Sequence, residues 1–167
     1  MTDQETTAHG PVPVHYHQFH ISDLEGPAGP DLPAAGNGLV EVEDGVVHVL
    51  TGIHTGDVEV DITLHDAAPA PQLDAWDEAV EISLNSASGE LVLHAMMADL
   101  EEEFPALSFN GPGDYRIRVH ARGRDTAVDL APDEITEWYL LQVWPDKPSA
   151  VDVLKATDQY GADQRAS

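Results

Sequence analysis

His15, His17 and His20 fall within six residues of one another, with His9 just upstream. Neutral imidazole is a common ligand of zinc and copper. Read as one strand, residues 12–21 put His15 and His17 on one face and turn His20 to the other, because strand side chains alternate. His15 and His17 are therefore the candidate metal pair. A third ligand would come from His48, His54, His65, His94 or His120, each on another predicted segment. The competing reading is of ordinary strand histidines with packed bodies and hydrogen-bonded tips. No helical His-Glu-x-x-His spacing is present.

A second group is cationic. Residues 115–122 alternate strictly, with Tyr115, Ile117, Val119 and Ala121 on one side and Arg116, Arg118, His120 and Arg122 on the other. An arginine ladder can bind an anion by bidentate contacts. It can equally pair with carboxylates on neighbouring strands, with Glu78, Glu81 and Glu137 as candidates. In so acidic a chain the pairing role is expected, which makes Arg116, Arg118 and Arg122 structural residues.

A third group is acidic. Asp99, Glu101, Glu102 and Glu103 form a dense carboxylate run. It reads either as a solvated loop or as a contact for a basic partner. No Gly-rich phosphate loop, nucleophile elbow or distinct carboxylate pair stands out, so no catalytic residue is assigned and no enzyme is expected.

These groups need elements to hold them. The first strand is expected over 12–21, with Pro13 favouring an edge or a strand start. Residues 24–38 form a long Gly/Pro loop. Strands over 39–42 and 46–50 flank a Glu43-Asp44-Gly45 hairpin signal. Residues 57–65 place Val58, Val60, Ile62 and Leu64 inward and Glu59, Asp61, Thr63 and His65 outward. Strands over 76–84 and 90–95 follow, then a stretch to 104 that is either short helix or acidic loop. The arginine strand and a polar loop over 122–132 come next. The last strand, 137–144, is apolar on both faces and therefore central. The pattern predicts an all-β, single-domain antiparallel β-sandwich of about eight short strands. Residues 1–11 read as a flexible tail, 12–155 as the sandwich domain and 156–167 as a disordered tail.

Composition bounds the function. The 167 residues carry 31 Asp+Glu against 7 Lys+Arg, a net charge of −24. Direct nucleic-acid binding is disfavoured because phosphates need Lys and Arg, and an anionic membrane is disfavoured on the same ground. A basic protein partner fits the field. There is no cysteine, which removes disulfides, thiol nucleophiles and thiolate-ligated metals. No apolar run approaches a membrane span, and residues 1–10 lack a basic region followed by an apolar one, as a secretory signal would have. A cytoplasmic protein without a cofactor is the expectation.

The order of motifs resembles the competence protein J family, small β-sandwich proteins that inhibit a DNA-entry nuclease. The likeness runs through Tyr16-His17-Gln18-Phe19 and the long loop after it. It continues through Asn37-Gly38, Asp44-Gly45-Val46-Val47 and the alternating strand at 58–64. Gly113-Asp114-Tyr115-Arg116 and Trp138-Tyr139-Leu140-Leu141 complete it. The resemblance implies a non-enzymatic inhibitor, an immunity-like antidote that blocks a nuclease by binding it. Asp99, Glu101, Glu102 and Glu103 are the expected contacts. Two other readings stand beside it. One is a His-ligated metal protein using His15 and His17. The other is a small-ligand module with a pocket at the sandwich end near the loop over 24–38, a reading that a wide apolar cavity lined by Trp76, Trp138 or Trp144 would favour.

Overall fold

The computed structural model describes residues 6–23, 36–43, 46–95 and 104–166. Its strands are β1 (Thr6–His15), β2 (Gln18–Asp23), β3 (Val40–Glu43), β4 (Val46–Leu50) and β5 (Thr55–Leu64). They continue with β6 (Glu78–Ser86), β7 (Leu91–His94), β8 (Gly113–Arg122), β9 (Trp138–Pro145) and β10 (Asp152–Ala156), and the chain closes with helix α1 (Gln159–Ala166).

The strands join in one sheet in the order β10-β6-β8-β9-β5-β1-β2-β4-β3, with β7 added on β2. All pairs are antiparallel except β5 with β9, which run parallel from Glu59 opposite Trp138 to Leu64 opposite Val143. The all-β expectation holds, but the eight-stranded antiparallel sandwich does not. The chain forms a curled, mixed half-barrel of ten strands among the described residues. Alternation identifies a half-buried strand without naming its neighbour. The parallel pair is made by a crossover spanning β6 to β8, which no local pattern marks. Likewise β7 pairs with β2, and not with β6, which it follows in sequence.

Curling lets one face of the sheet close on itself. Val12, Val14, Phe19, Ile21, Val47, Val49, Val58, Val60, Ile62, Ile82, Ile117, Val119, Leu141 and Val143 belong to one buried cluster. Val58, Val60 and Ile62 point inward as the alternation predicts, whereas Thr63 and His65, expected outside, are buried and bond each other at 2.7 Å. β9 lies between β8 and β5, as its doubly apolar sequence requires.

The first predicted strand is two strands. Tyr16 and His17 adopt left-handed backbones, φ 56° and 66°, and His15 pairs with Gln18. Two left-handed central residues are what a two-residue type I′ hairpin needs. Asn and Gly usually supply them, so Tyr-His gives no local signal. Strand β1 also starts at Thr6, well before residue 12, because residues 6–15 find a full partner in β5.

The C-terminal tail is likewise ordered. Asp158 caps α1, its Oδ1 accepting from Gly161 N at 2.7 Å. Asp125 accepts from Gln159 N and Tyr160 N at 2.9 and 2.8 Å. Asp125 lies more than thirty residues upstream, so the helix is fixed in part from outside its own sequence. No helix among the described residues is long and apolar enough to cross a membrane.

Candidate interaction surface

The arginines decide where the protein's positive charge sits. Arg116 and Arg118 are buried on β8 and share Glu81, at 3.4 and 2.8 Å. Arg116 also donates to the carbonyls of Ser149 and Ala150, and Arg118 to those of Pro69 and to Gln142 Oε1. The ladder thus fastens two segments that cover the outer face of β8. Glu81 is its carboxylate; Glu78 and Glu137 are not. Arg122 differs: it is exposed and lies between the rings of Trp76 and Trp138, 5.2 Å from each. Trp144 stands against Arg118 at 5.0 Å. The three tryptophans therefore cover arginines.

Arg124, which the sequence leaves in a polar loop, is fully buried. It makes a bidentate pair with Asp158, Nε to Oδ2 at 2.7 Å and Nη2 to Oδ1 at 2.9 Å. It also donates to the Gly38 and Leu50 carbonyls and stacks on Tyr160. Glu78 Oε1 lies 3.6 Å from Arg124 and 3.3 Å from Arg165. Burial holds the Glu78 carboxyl above its usual range. Burial also pushes Asp158 up, but the hydrogen bonds and charge of Arg124 outweigh it and leave Asp158 below its usual range. Glu137 is buried too and accepts from Gly52 N, Ile53 N and the Tyr139 hydroxyl at 3.1, 2.7 and 2.6 Å. Its pKa is raised by burial. A Cβ at Gly52 would collide with the Arg124 carbonyl, so only glycine permits this approach.

All five arginines are thus engaged with protein groups. The remaining cations are Lys147 and Lys155, and Lys155 donates to Leu73 O. Among the described residues, Asp57, Asp66, Asp74, Glu90, Asp129, Asp133 and Glu134 are exposed carboxylates.

One corner of that surface stands out. Among the described residues, the non-glycine positions with positive φ are Tyr16, His17 and Asp129, and they meet there. His17 Nε2 lies 2.9 Å from Asp129 Oδ1, and His17 Nδ1 donates to Thr51 O at 2.9 Å. Tyr16 packs its ring edge-on to His54 at 5.3 Å. His54 N in turn donates to Leu130 O at 2.8 Å. Tyr16 and Leu130 are nevertheless 65% and 60% exposed, with Val128 beside them at 38%. Around them residues 125–134 carry Asp125, Asp129, Asp133 and Glu134, all exposed, and no Lys or Arg. Left-handed non-glycine residues cost free energy and gather where a site needs a fixed shape. Exposed Tyr16 and Leu130, with the Asp129 carboxylate between their segments and further carboxylates in the same loop, combine apolar surface with charge as protein contacts do.

The predicted metal pair does not share a strand face. His15 ends β1 and His17 sits in the turn, its nitrogens turned to Thr51 and Asp129. Among the described residues, the group whose ligand atoms lie within 4.8 Å of one another is His9, Glu59 and Asp61, where His9 Nδ1 is 3.2 Å from Glu59. Asp99, Glu101, Glu102 and Glu103 lie outside the described residues. The sequence reading missed Tyr16, Asp129 and Leu130 as a group. Their only textual sign is an acidic loop with exposed apolar residues at 128 and 130.

No protein-family model matches the sequence, and no curated protein matches it. Among solved structures the chain is similar to ComJ, inhibitor of the DNA degrading activity of NucA, from Bacillus subtilis. The TM-score is 0.56 at 12% identity, covering 85% of this chain and 98% of that one. A structure described as crocagin biosynthetic gene J aligns at a TM-score of 0.48 and 17% identity, over 84% of this chain and 97% of that one. The chain therefore has a ComJ-like fold.

Proposed function

We propose that this protein is a non-enzymatic inhibitor that binds a basic nuclease through the corner built by Tyr16, Asp129 and Leu130. The observation that carries the reading is that corner: exposed Tyr16 and Leu130 on a strained scaffold braced by the His17–Asp129 pair, in an acidic loop. The engagement of all five arginines with protein groups, with Arg116, Arg118 and Arg124 buried, supports it. Nucleases present cationic grooves to phosphates, and an acidic surface complements such a groove. The fold shared with ComJ, whose own partner is NucA, agrees with this. The acidic run Asp99, Glu101, Glu102 and Glu103 is proposed as a second contact.

The test adds purified, tag-free protein to a native-cell lysate and follows plasmid DNA degradation. Stoichiometric suppression, weakened by salt and by Tyr16→Ala with Leu130→Ala, is expected. Degradation that is unchanged at any protein concentration contradicts the reading.

A further inference from the structure

His48, His20 and His94 stand side by side on three adjacent strands. The register sets His20 of β2 opposite His48 of β4 on one side and opposite His94 of β7 on the other. Residues directly opposite across antiparallel strands share a face. Their neighbours Phe19, Ile21, Val47, Val49 and Leu93 are core residues, so the three imidazoles stand together on the other face. The ring centroids of His20 lie 4.8 Å from His48 and 6.4 Å from His94. With Ser22 and Val46 they line a cleft of about 400 Å³. On β3, Glu41 is in register with His48 and extends the row by a carboxylate.

These rings are not held as structural histidines are. His9, His17, His54, His65 and His120 each have a hydrogen-bonded ring nitrogen. Among the described residues His15, His20, His48 and His94 make none, and of these the Nδ1 of His48 is enclosed without a partner. Buried polar atoms are nearly always satisfied, and an orphan beside a cleft points to a missing partner.

We propose that His20, His48 and His94 ligate a divalent transition metal of the zinc class. Three imidazoles with a fourth position left to water or to Glu41 match the ligand number and type zinc takes in open sites. Imidazole also suits copper and nickel, so affinity in this site follows their usual order. Chelation requires the rings to turn toward one point, a rotation about side-chain torsions that leaves the strand pairing intact. The His9, Glu59 and Asp61 group is the natural control, because His9 is already paired with Glu59. The site is independent of the proposed inhibitor corner.

The experiment is a zinc titration of the tag-free full chain by calorimetry, with cobalt as a spectroscopic probe. One equivalent of zinc and the visible bands of four-coordinate cobalt are expected. His48→Ala and His94→Ala should each weaken zinc binding at least tenfold, while His9→Ala leaves it unchanged. His94 is exposed, so its variant is expected to fold, and circular dichroism of the metal-free protein verifies this. Absence of a saturable equivalent overturns the proposal. So does binding that survives in a folded His94→Ala, or that disappears in His9→Ala.

Discussion

His17 and Asp129, both with left-handed backbones, face each other with Nε2 and Oδ1 2.9 Å apart. One belongs to the β1–β2 hairpin and the other to the loop before β9. Two conformations that each cost about 1–3 kcal/mol are thereby made to brace one another. The Asp129 carboxylate is largely exposed, so the pair itself contributes about 1 kcal/mol or less. Its consequence is shape: it holds Tyr16 and Leu130 outward on one corner.

Tyr16→Asn separates the strain from the contact. Asn tolerates the left-handed region better than Tyr, so the melting temperature should stay level or rise. Nuclease inhibition should fall at least tenfold, since a large exposed aromatic is the type of residue that dominates interfaces. Thermal melts and plasmid-degradation assays read the two effects. Full inhibition by Tyr16→Asn would remove Tyr16 from the contact.

Arg124→Met should be among the most damaging single changes. It leaves Asp158 a buried carboxylate without its guanidinium, and Glu78 with Arg165 alone, at a cost of about 3–5 kcal/mol. Helix α1 should loosen, because Asp158 caps it and Tyr160 stacks on Arg124. Urea denaturation and limited proteolysis from the C-terminus measure both. A variant within 1 kcal/mol of the parent would contradict the anchoring role of Arg124.

Arg118→Ala and Arg122→Ala should differ although they share a strand face. Arg118 is buried and gives up bonds to Glu81, Pro69 O and Gln142, a loss of about 2–3 kcal/mol. Arg122 gives up ring contacts at the surface, about 1 kcal/mol. Equal denaturation midpoints for the two variants would show that burial does not set the difference.

Acid should destabilise the protein through His120. Burial, opposed by its bond to Leu140 O and assisted by Arg118, lowers its pKa from 6.5 to about 4. The folded state then binds fewer protons than the unfolded state between those values. The contribution is fully present above pH 6.5 and is lost as pH falls toward 4, about 3 kcal/mol in all. Glu78 and Glu137, raised by burial, act with the opposite sign: their contribution is lost as pH rises. The useful quantity is therefore the difference between the parent and His120→Gln. Urea midpoints at pH 7.5 and 5 should draw closer together in the variant. An unchanged gap would mean that His120 is not the acid-sensitive group.

Much of the fold was legible where side-chain period decides it. Val58, Val60 and Ile62 were readable as inward, and the apolar 137–144 run was readable as central. The sheet order was not, because β5 meets β9 across a crossover and β2 takes β1, β4 and β7 as partners. The Tyr16–His17 turn was hidden because its left-handed backbone is stabilised by Thr51, His54 and Asp129, far away in sequence. An arginine–carboxylate pairing across strands was an expectation of the sequence, but which of Glu78, Glu81 and Glu137 meets Arg116 and Arg118 is decided by the β6–β8 register. The role of Arg124 was not legible, since a loop arginine looks solvated until residues 158 and 78 are brought to it. The histidine row was equally invisible: His20, His48 and His94 become neighbours only through the pairing of three strands.

The most direct test of the central claim is the DNA-degradation assay in native lysate, with magnesium in excess so that chelation by the added protein has no effect. Suppression at near-equal stoichiometry is expected of the wild type, and at least tenfold weaker suppression of Tyr16→Ala with Leu130→Ala, in a variant that melts like the parent. Undiminished degradation with the wild type, or equal suppression by the folded variant, would contradict a nuclease contact at this corner.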